Sequence, residues 1–175
     1  MRKLAAQCLV AVALVVMAVP AQAQTDLTDS RTVEQKFARI QFGAAFIFAG
    51  LVSQGEAMGH TPEQIGRSFG EFGARSWGGP GSETLSSFVR QTFLNHNVWP
   101  NAEFEILSES ESEIRFRTNH PWATFFGESG VMYGVSLADF SEAWAVSNDV
   151  TANSLGFDMV HEMEGDWIAF TVKTR

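Results

Sequence analysis

The chain has 175 residues, and its 20 aspartates and glutamates against 12 lysines and arginines give a formal net charge of −8. Such an acidic surface repels nucleic acid and anionic lipid, so we expect no nucleic-acid partner. The only cysteine is Cys8, which excludes disulfides, thiolate catalysis and cysteine metal ligands from the rest of the chain.

The first 23 residues have the pattern of an export signal. Arg2 and Lys3 precede an apolar stretch, residues 4–19, and residues 20–23 place small side chains where a signal peptidase reads. The stretch is shorter than the ~20 residues that span a bilayer, so an uncleaved anchor is the less favoured alternative. We predict cleavage after Ala23, a periplasmic or secreted location, and no stable membrane insertion afterwards. Cleavage would remove Arg2 and Lys3 and so change the net charge from −8 to −10.

After a flexible lead, residues 24–31, a single domain is predicted over residues 32–175. Three helices are expected in its first half, because Thr32 with Gln35 and Thr61 with Gln64 have capping-box spacing. Ser82 is the expected N-cap of the third helix. The first helix has an apolar face formed by Phe37, Ile40, Ala44, Phe48 and Leu51.

The second half changes to alternating, strand-like patterns. Residues 103–106 and 113–118 alternate around a polar loop, and residues 155–163 and 167–174 flank a turn at Glu164-Gly165-Asp166. Between these two hairpins, Ser136 with Asp139 marks a helix that Gly156 ends. The sequence therefore predicts an α+β fold: three N-terminal helices, then an antiparallel sheet of two hairpins with one intervening helix, with the helices on one face of the sheet.

Two histidines are candidate catalytic residues. His120 ends a predicted strand before Pro121, a place where binding residues are common, although Trp122 filling the core at a structural corner explains the pattern equally well. His161 shares the apolar face of its strand with Met159, so it either faces a pocket or is a core histidine with a backbone partner. His60 and His96 lie at helix boundaries, where we expect them to face solvent or cap carbonyls.

No established catalytic motif accompanies these histidines. The sequence has no Walker loop, nucleophile elbow, zinc-protease helix or haem attachment motif. Asp158 and Glu162 alternate to the face opposite His161, so their adjacency builds no metal site, and no metal is predicted. The sequence leaves the cofactor unspecified.

Short motifs in residues 116–172 carry a family resemblance. They are Asn119-His120-Pro121-Trp122, a helix with Phe140 and Trp144, Leu155-Gly156-Phe157, and Gly165-Asp166-Trp167. This part resembles the L-2-amino-thiazoline-4-carboxylic acid hydrolase-like family, which has N-terminal helices, a strand leading to Cys-Pro, a helix, and a closing hairpin with a Gly-Asp turn. The first half agrees only in being helical. The resemblance implies a small-molecule pocket near His120, lined by Trp122, Trp144 and His161.

The chain departs from that family at one position, because His120 stands where the family usually has cysteine. Imidazole serves as base, nucleophile or ligand, so one interpretation is that the reaction has changed. The other is that catalysis has been lost. We therefore predict an exported domain that handles a small molecule, hydrolase-like with a histidine-based site. The alternatives are a non-catalytic periplasmic ligand-binding module and an accessory subunit that docks to a protein partner in an envelope complex.

Overall fold

The computed structural model describes residues 31–175, so the predicted export signal and most of the polar lead lie outside the described residues. Within them, residues 32–175 form one compact unit. Its helices are α1 (Val33–Ala57), α2 (Pro62–Ala74), α3 (Leu85–His96) and α4 (Leu137–Leu155). Its strands are β1 (Phe104–Glu109), β2 (Glu113–Asn119), β3 (Val131–Met132), β4 (Val135–Ser136), β5 (Phe157–Glu164) and β6 (Trp167–Thr174), and a short 3-10 helix, Pro121–Phe125, follows β2.

The helices begin at side-chain caps that satisfy their first backbone N–H groups. Thr32 and Thr61 form the predicted capping boxes of α1 and α2, and Ser136 caps α4 by accepting from the Asp139 N–H. The prediction of Ser82 as the cap of α3 is wrong, because Thr84 caps this helix. The Ser82 hydroxyl instead donates to backbone carbonyls of the preceding turn.

The main sheet has the strand order β1-β2-β6-β5, and all neighbouring pairs are antiparallel. Both predicted hairpins are present, and the β2–β6 pairing joins them. The β5–β6 hairpin turns through two residues, since Glu164 pairs with Trp167 and Gly165 has a φ of 63°, which suits glycine. β3 and β4 form a separate two-stranded ribbon in the glycine-rich segment, which the sequence analysis did not predict.

One face of the main sheet is buried under the helices. Alternate side chains of the two central strands form this face, namely Ile114, Phe116, Thr118, Ile168, Phe170 and Val172. The opposite face carries ion pairs such as Arg117–Glu105, at 2.7 Å, and the Arg117 guanidinium lies 4.2 Å from the centre of the Trp167 ring. The predicted α+β class, with helices on one face of an antiparallel sheet, is confirmed.

α4 lies against α2 at two glycines. A Cβ atom added at Gly66 would lie 2.3 Å from the Ala143 carbonyl oxygen, and one at Gly70 would lie 2.5 Å from the Val150 Cβ. Only glycine permits this backbone approach, since either addition would overlap atoms that cannot move easily. α4 is therefore held firmly, and it is the helix that carries most of the candidate site.

α1 buries only part of the apolar face that its pattern predicts, because Phe48 packs against Phe69 and Phe140 while other members of that face stay exposed. The residues that it buries include Ala45, Ala49 and Val52, whereas Phe37 and Ile40 are exposed. Within residues 31–175, α1 is also the one helix long and apolar enough to cross a membrane by length and composition, a test that signal sequences and core helices pass too.

Candidate functional site

A cavity of about 510 Å³ opens between the first turns of α4 and the β5–β6 turn. This volume lies within the range of ~300–1,000 Å³ that is typical of small-molecule sites. The cavity brings together His120, which directly follows β2, with residues of α4 and of the last hairpin. The lining residues are His120, Leu137, Ala138, Asp139, Ser141, Glu142, Met163, Gly165 and Asp166.

His120 is held at this cavity by a hydrogen bond to α4. Its Nδ1 lies 2.8 Å from the Ser141 Oγ, and the indole N–H of Trp122 donates to the same oxygen over 3.1 Å. The Ser141 oxygen has two lone pairs, so it can accept from both the indole and an Nδ1–H of His120, or its own hydrogen can be donated to an unprotonated Nδ1. Ser141 thus joins the two side chains on either side of Pro121 and fixes the orientation of the imidazole.

The surroundings of His120 favour its neutral form. Burial lowers the pKa of the ring, and the backbone of Gly165 and the charge of Asp166 act against this without cancelling it. The imidazole is therefore largely uncharged at neutral pH and can accept a proton.

Three carboxylates line the cavity and give it a negative character. Asp139 is held by the Ser136 hydroxyl, which donates to its Oδ2 over 2.5 Å. Burial raises the pKa of the nearby Glu56 on α1, and the charge of Asp139 raises it further. Glu142 and Asp166 supply the other two carboxylates. None of the cavity-lining residues in the described part of the chain is a lysine or an arginine, so these charges are not neutralised within the lining.

His161 lies beside this cavity, outside its lining residues. Its Nδ1 is 2.5 Å from an Asp149 oxygen, and its Nε2 is 3.4 Å from an oxygen of Glu142, which does line the cavity. The hydrogen bond to Asp149 raises the pKa of His161, with a further contribution from Glu142, and outweighs the opposing effect of burial. His161 is thus one member of a carboxylate–imidazole group, and no cluster of three or more metal-ligating side chains occurs among residues 31–175.

The two tryptophans predicted as ligand-binding residues lie beneath the cavity. Trp122 is fully buried, Trp144 is half-buried, and their ring centres are 4.7 Å apart. Neither is a lining residue of the cavity. Trp122 contacts the site through its indole N–H on Ser141 and through its ring, whose centre is 6.1 Å from that of His120, so the pair forms an aromatic floor under the histidine.

His96 belongs to the same aromatic floor, and the expectation that it faces solvent or caps carbonyls is wrong. Its side chain is 1% exposed, and its ring centre lies 6.2 Å from that of Trp122 and 5.8 Å from that of Trp144. Burial lowers its pKa to about 4. The last turn of α3 packs against the domain at this point, which a helix boundary in the sequence does not reveal.

The sequence analysis missed the polar partners that α4 supplies. One signal was present for two of them, because Glu142 and Asp149 are seven residues apart and so lie on one face of the predicted helix. No comparable signal connects Ser141 with His120, since the two are 21 residues apart and meet only when α4 packs on the sheet.

The chain matches no protein-family model and no curated protein. The resemblance to the L-2-amino-thiazoline-4-carboxylic acid hydrolase-like family therefore stays a prediction that rests on the short motifs around His120. The chemistry of the cavity is then the firmest basis for a function.

Proposed function

We propose that this protein binds a small organic cation in the cavity beside His120. The observation that carries the proposal is the lining itself, which combines Asp139, Glu142 and Asp166 with no lysine or arginine among the described lining residues. A positively charged group entering this space meets three carboxylates in a partly enclosed environment, where charge attraction is stronger than in bulk water. His161 partly compensates Glu142 from a distance of 3.4 Å, and Asp139 and Asp166 add to the negative character of the lining.

The same lining favours an organic cation over a bare ion. Leu137, Ala138 and Met163 add apolar surface to the lining, and a volume of about 510 Å³ accommodates a body much larger than an ammonium group. A bare metal ion would need several convergent oxygen ligands, and no such cluster occurs among the described residues. The cavity therefore suits an ammonium group attached to an apolar body.

Affinity measurements on a matched pair of probes test this proposal. Calorimetric titration compares benzylammonium with benzyl alcohol, which has the same ring and no charge at neutral pH. We expect Asp166→Asn to weaken benzylammonium binding about 5- to 10-fold, the effect of losing ~1 kcal/mol of charge attraction, and to leave benzyl alcohol unaffected. Glu162→Gln is the control, since this exposed residue lies outside the cavity. Equal affinity for both probes would argue against a cation site.

A second candidate function is a hydrolase-like reaction in which His120 is the general base. It is supported by the neutral imidazole at the cavity and by its 2.8 Å contact with Ser141, together with the family resemblance in which His120 replaces a cysteine. Ser141 is 1% exposed and already accepts a hydrogen bond from Trp122, so it suits a positioning role better than that of a nucleophile. To act as a base through Nε2 on a water or substrate atom, the ring must be in the tautomer whose Nδ1–H donates to the Ser141 Oγ.

The two candidates differ in what His120→Gln should do. A binding module keeps most of its affinity for benzylammonium in this variant, because the carboxylates remain. An enzyme loses turnover of ammonium-bearing esters or amides by at least about 100-fold, the usual contribution of a general base, while binding is retained. Turnover that is equal in wild type and variant would exclude His120 as the base.

We further propose that the protein works outside the cytoplasm. The support is the pattern of residues 1–23, with Arg2 and Lys3 before an apolar stretch and small residues before Gln24. Intact-mass measurement of protein from the cell envelope and medium tests this, and a chain beginning at Gln24 is the expected result. A cytoplasmic chain that retains residues 1–23 would contradict it.

A further inference from the structure

The outward face of α1 carries a regular apolar stripe that the cavity does not use. Its residues follow one another at intervals of four, three, four, three and four positions, and all of them are exposed. Exposure of the five large ones ranges from 47% to 77%. The stripe consists of Val33, Phe37, Ile40, Ala44, Ile47 and Leu51.

We propose that this stripe is the seam of a two-helix coiled coil through which two copies of the chain associate. Alternating intervals of four and three give an average repeat of about 3.5 residues, which is the repeat of a helix that faces another helix along its length. The same register continues through Gln54 to Met58, whose side chain is 63% exposed. The seam therefore runs along the whole of α1.

Small residues flank the seam where a partner helix would come closest. Gly43 and Gly50 are seven residues apart, so they occupy the same heptad position beside the stripe. A Cβ added at either position would meet nothing within 4 Å, so both glycines leave open space on the outer surface. In the coiled coil this space lets the second α1 approach closely.

The seam continues into a groove between α1 and α2. This groove has a volume of about 490 Å³, and Leu51, Gln54 and Met58 of the seam register form its α1 wall. Ile65 and Phe69 belong to its α2 wall. An end of the partner helix can lie in this groove, which extends the contact beyond a single pair of helices.

The stripe supplies more than half of the area that each partner of a stable dimer buries. A large side chain exposes ~150–200 Å² when fully accessible, so the five large residues together expose about 500 Å². A stable interface buries about 800 Å² on each partner, and the groove supplies part of the remainder. A second copy also carries the same stripe, so a two-fold contact matches each apolar residue with another.

A membrane is the other surface that such a helix could contact, and the observations favour the dimer. A helix lying on a bilayer has a polar face rich in lysine and arginine opposite a wide apolar one. The inner face of α1 instead packs on its own domain through Ala45, Ala49 and Val52, and the chain has a net charge of −8 that anionic lipid repels.

Sedimentation equilibrium of the full chain tests the proposal. We expect the wild type to be a dimer at about 50 µM, and Ile47→Glu to raise the dimer dissociation constant about 100-fold, because each copy then buries a charge in the seam. Ile40→Glu should act in the same way, and both residues are more than half exposed, so neither change disturbs the core. Ala38→Glu is the control, since this residue is exposed on α1 but is not one of the seam residues.

Three results would overturn the proposal. A monomeric wild type at this concentration would do so, as would a dimer that persists in the combined Ile40→Glu and Ile47→Glu variant. Flotation of the wild type with phosphatidylcholine vesicles, lost in Ile47→Glu, would assign the stripe to a membrane instead. Loss of the dimer in the two seam variants, with an unchanged circular dichroism spectrum and an intact dimer in Ala38→Glu, would support it.

Discussion

Acidification should destabilise this protein through His96, a histidine that its fold keeps neutral. The side chain is 1% exposed among aromatic rings, and its Nε2 lies 3.4 Å from the Asn119 Oδ1. Burial lowers its pKa to about 4 from the usual 6.5. The unfolded chain therefore takes up a proton at a pH where the folded chain does not, and stability falls as the pH decreases from 6.5 towards 4.

The size of this effect follows from the two pKa values. Each pKa unit is worth ~1.4 kcal/mol, so a fall from 6.5 to about 4 corresponds to about 3 kcal/mol. That loss is nearly complete at pH 4, and it is a large fraction of the ~5–15 kcal/mol that stabilises a typical domain. His96 should thus be a main cause of acid sensitivity.

Replacing His96 by phenylalanine isolates this contribution. The ring fits the aromatic surroundings, and the Asn119 Oδ1 keeps a bond from the Glu103 N–H at 3.0 Å. Urea unfolding at pH 7 and pH 4 should show the wild type losing about 3 kcal/mol more than His96→Phe over this interval. Parallel losses in the two proteins would mean instead that His96 is protonated in the folded state at its ordinary pKa.

Two other changes test the packing and the charge group of α4. In the same urea assay, Gly66→Ala should lower the free energy of unfolding by about 2 kcal/mol or more, because its Cβ would lie 2.3 Å from the Ala143 carbonyl oxygen. Gly73→Ala in the same helix is the control, since its Cβ would make only an ordinary contact at 3.6 Å. This change should be neutral or stabilising by up to about 1 kcal/mol. His161 has a raised pKa, so the stability that its protonated ring gains from Asp149 is present below pH 6.5 and is lost as the pH rises through the folded-state value. The stability advantage of wild type over His161→Gln should therefore shrink above pH 6.5, and thermal melts that show a constant difference would contradict the ion pair.

The elements of this fold could be predicted because their signals are local. A capping threonine and its glutamine partner are three residues apart, as at Thr61 and Gln64, and the final hairpin is marked by Gly165 in its turn. These signals involve neighbouring residues only, so they can be recognised in the sequence without any knowledge of tertiary contacts.

The face that α1 turns inward could not be predicted in the same way. Its apolar residues occupy more than one side of the helix, and of the apolar face predicted from the sequence Phe48 packs against the core while Phe37 and Ile40 are exposed. The domain instead buries small residues such as Ala45 and Ala49, because α1 lies close to its neighbours there. Which of two apolar faces becomes buried depends on the shape of the surface that it meets.

Only part of the candidate site could be predicted from the sequence, because the rest depends on tertiary contacts. His120 stood out by its position at a strand end before Pro121, and it does line the cavity. The carboxylates that define the charge of that cavity come from α4 and from the β5–β6 turn, where acidic side chains usually just face water. Their convergence is a product of the sheet closing against α4, and the linear sequence does not contain it.

A cation site beside His120 can be located directly with a bound probe. Titration of isotope-labelled protein with benzylammonium, followed by two-dimensional NMR, reports which backbone amides change. We predict saturable shifts at the lining residues of the first turns of α4 and of the β5–β6 turn, with much smaller shifts for benzyl alcohol. Shifts that fall elsewhere, or that are the same for both probes, would rule out a cation site at this cavity.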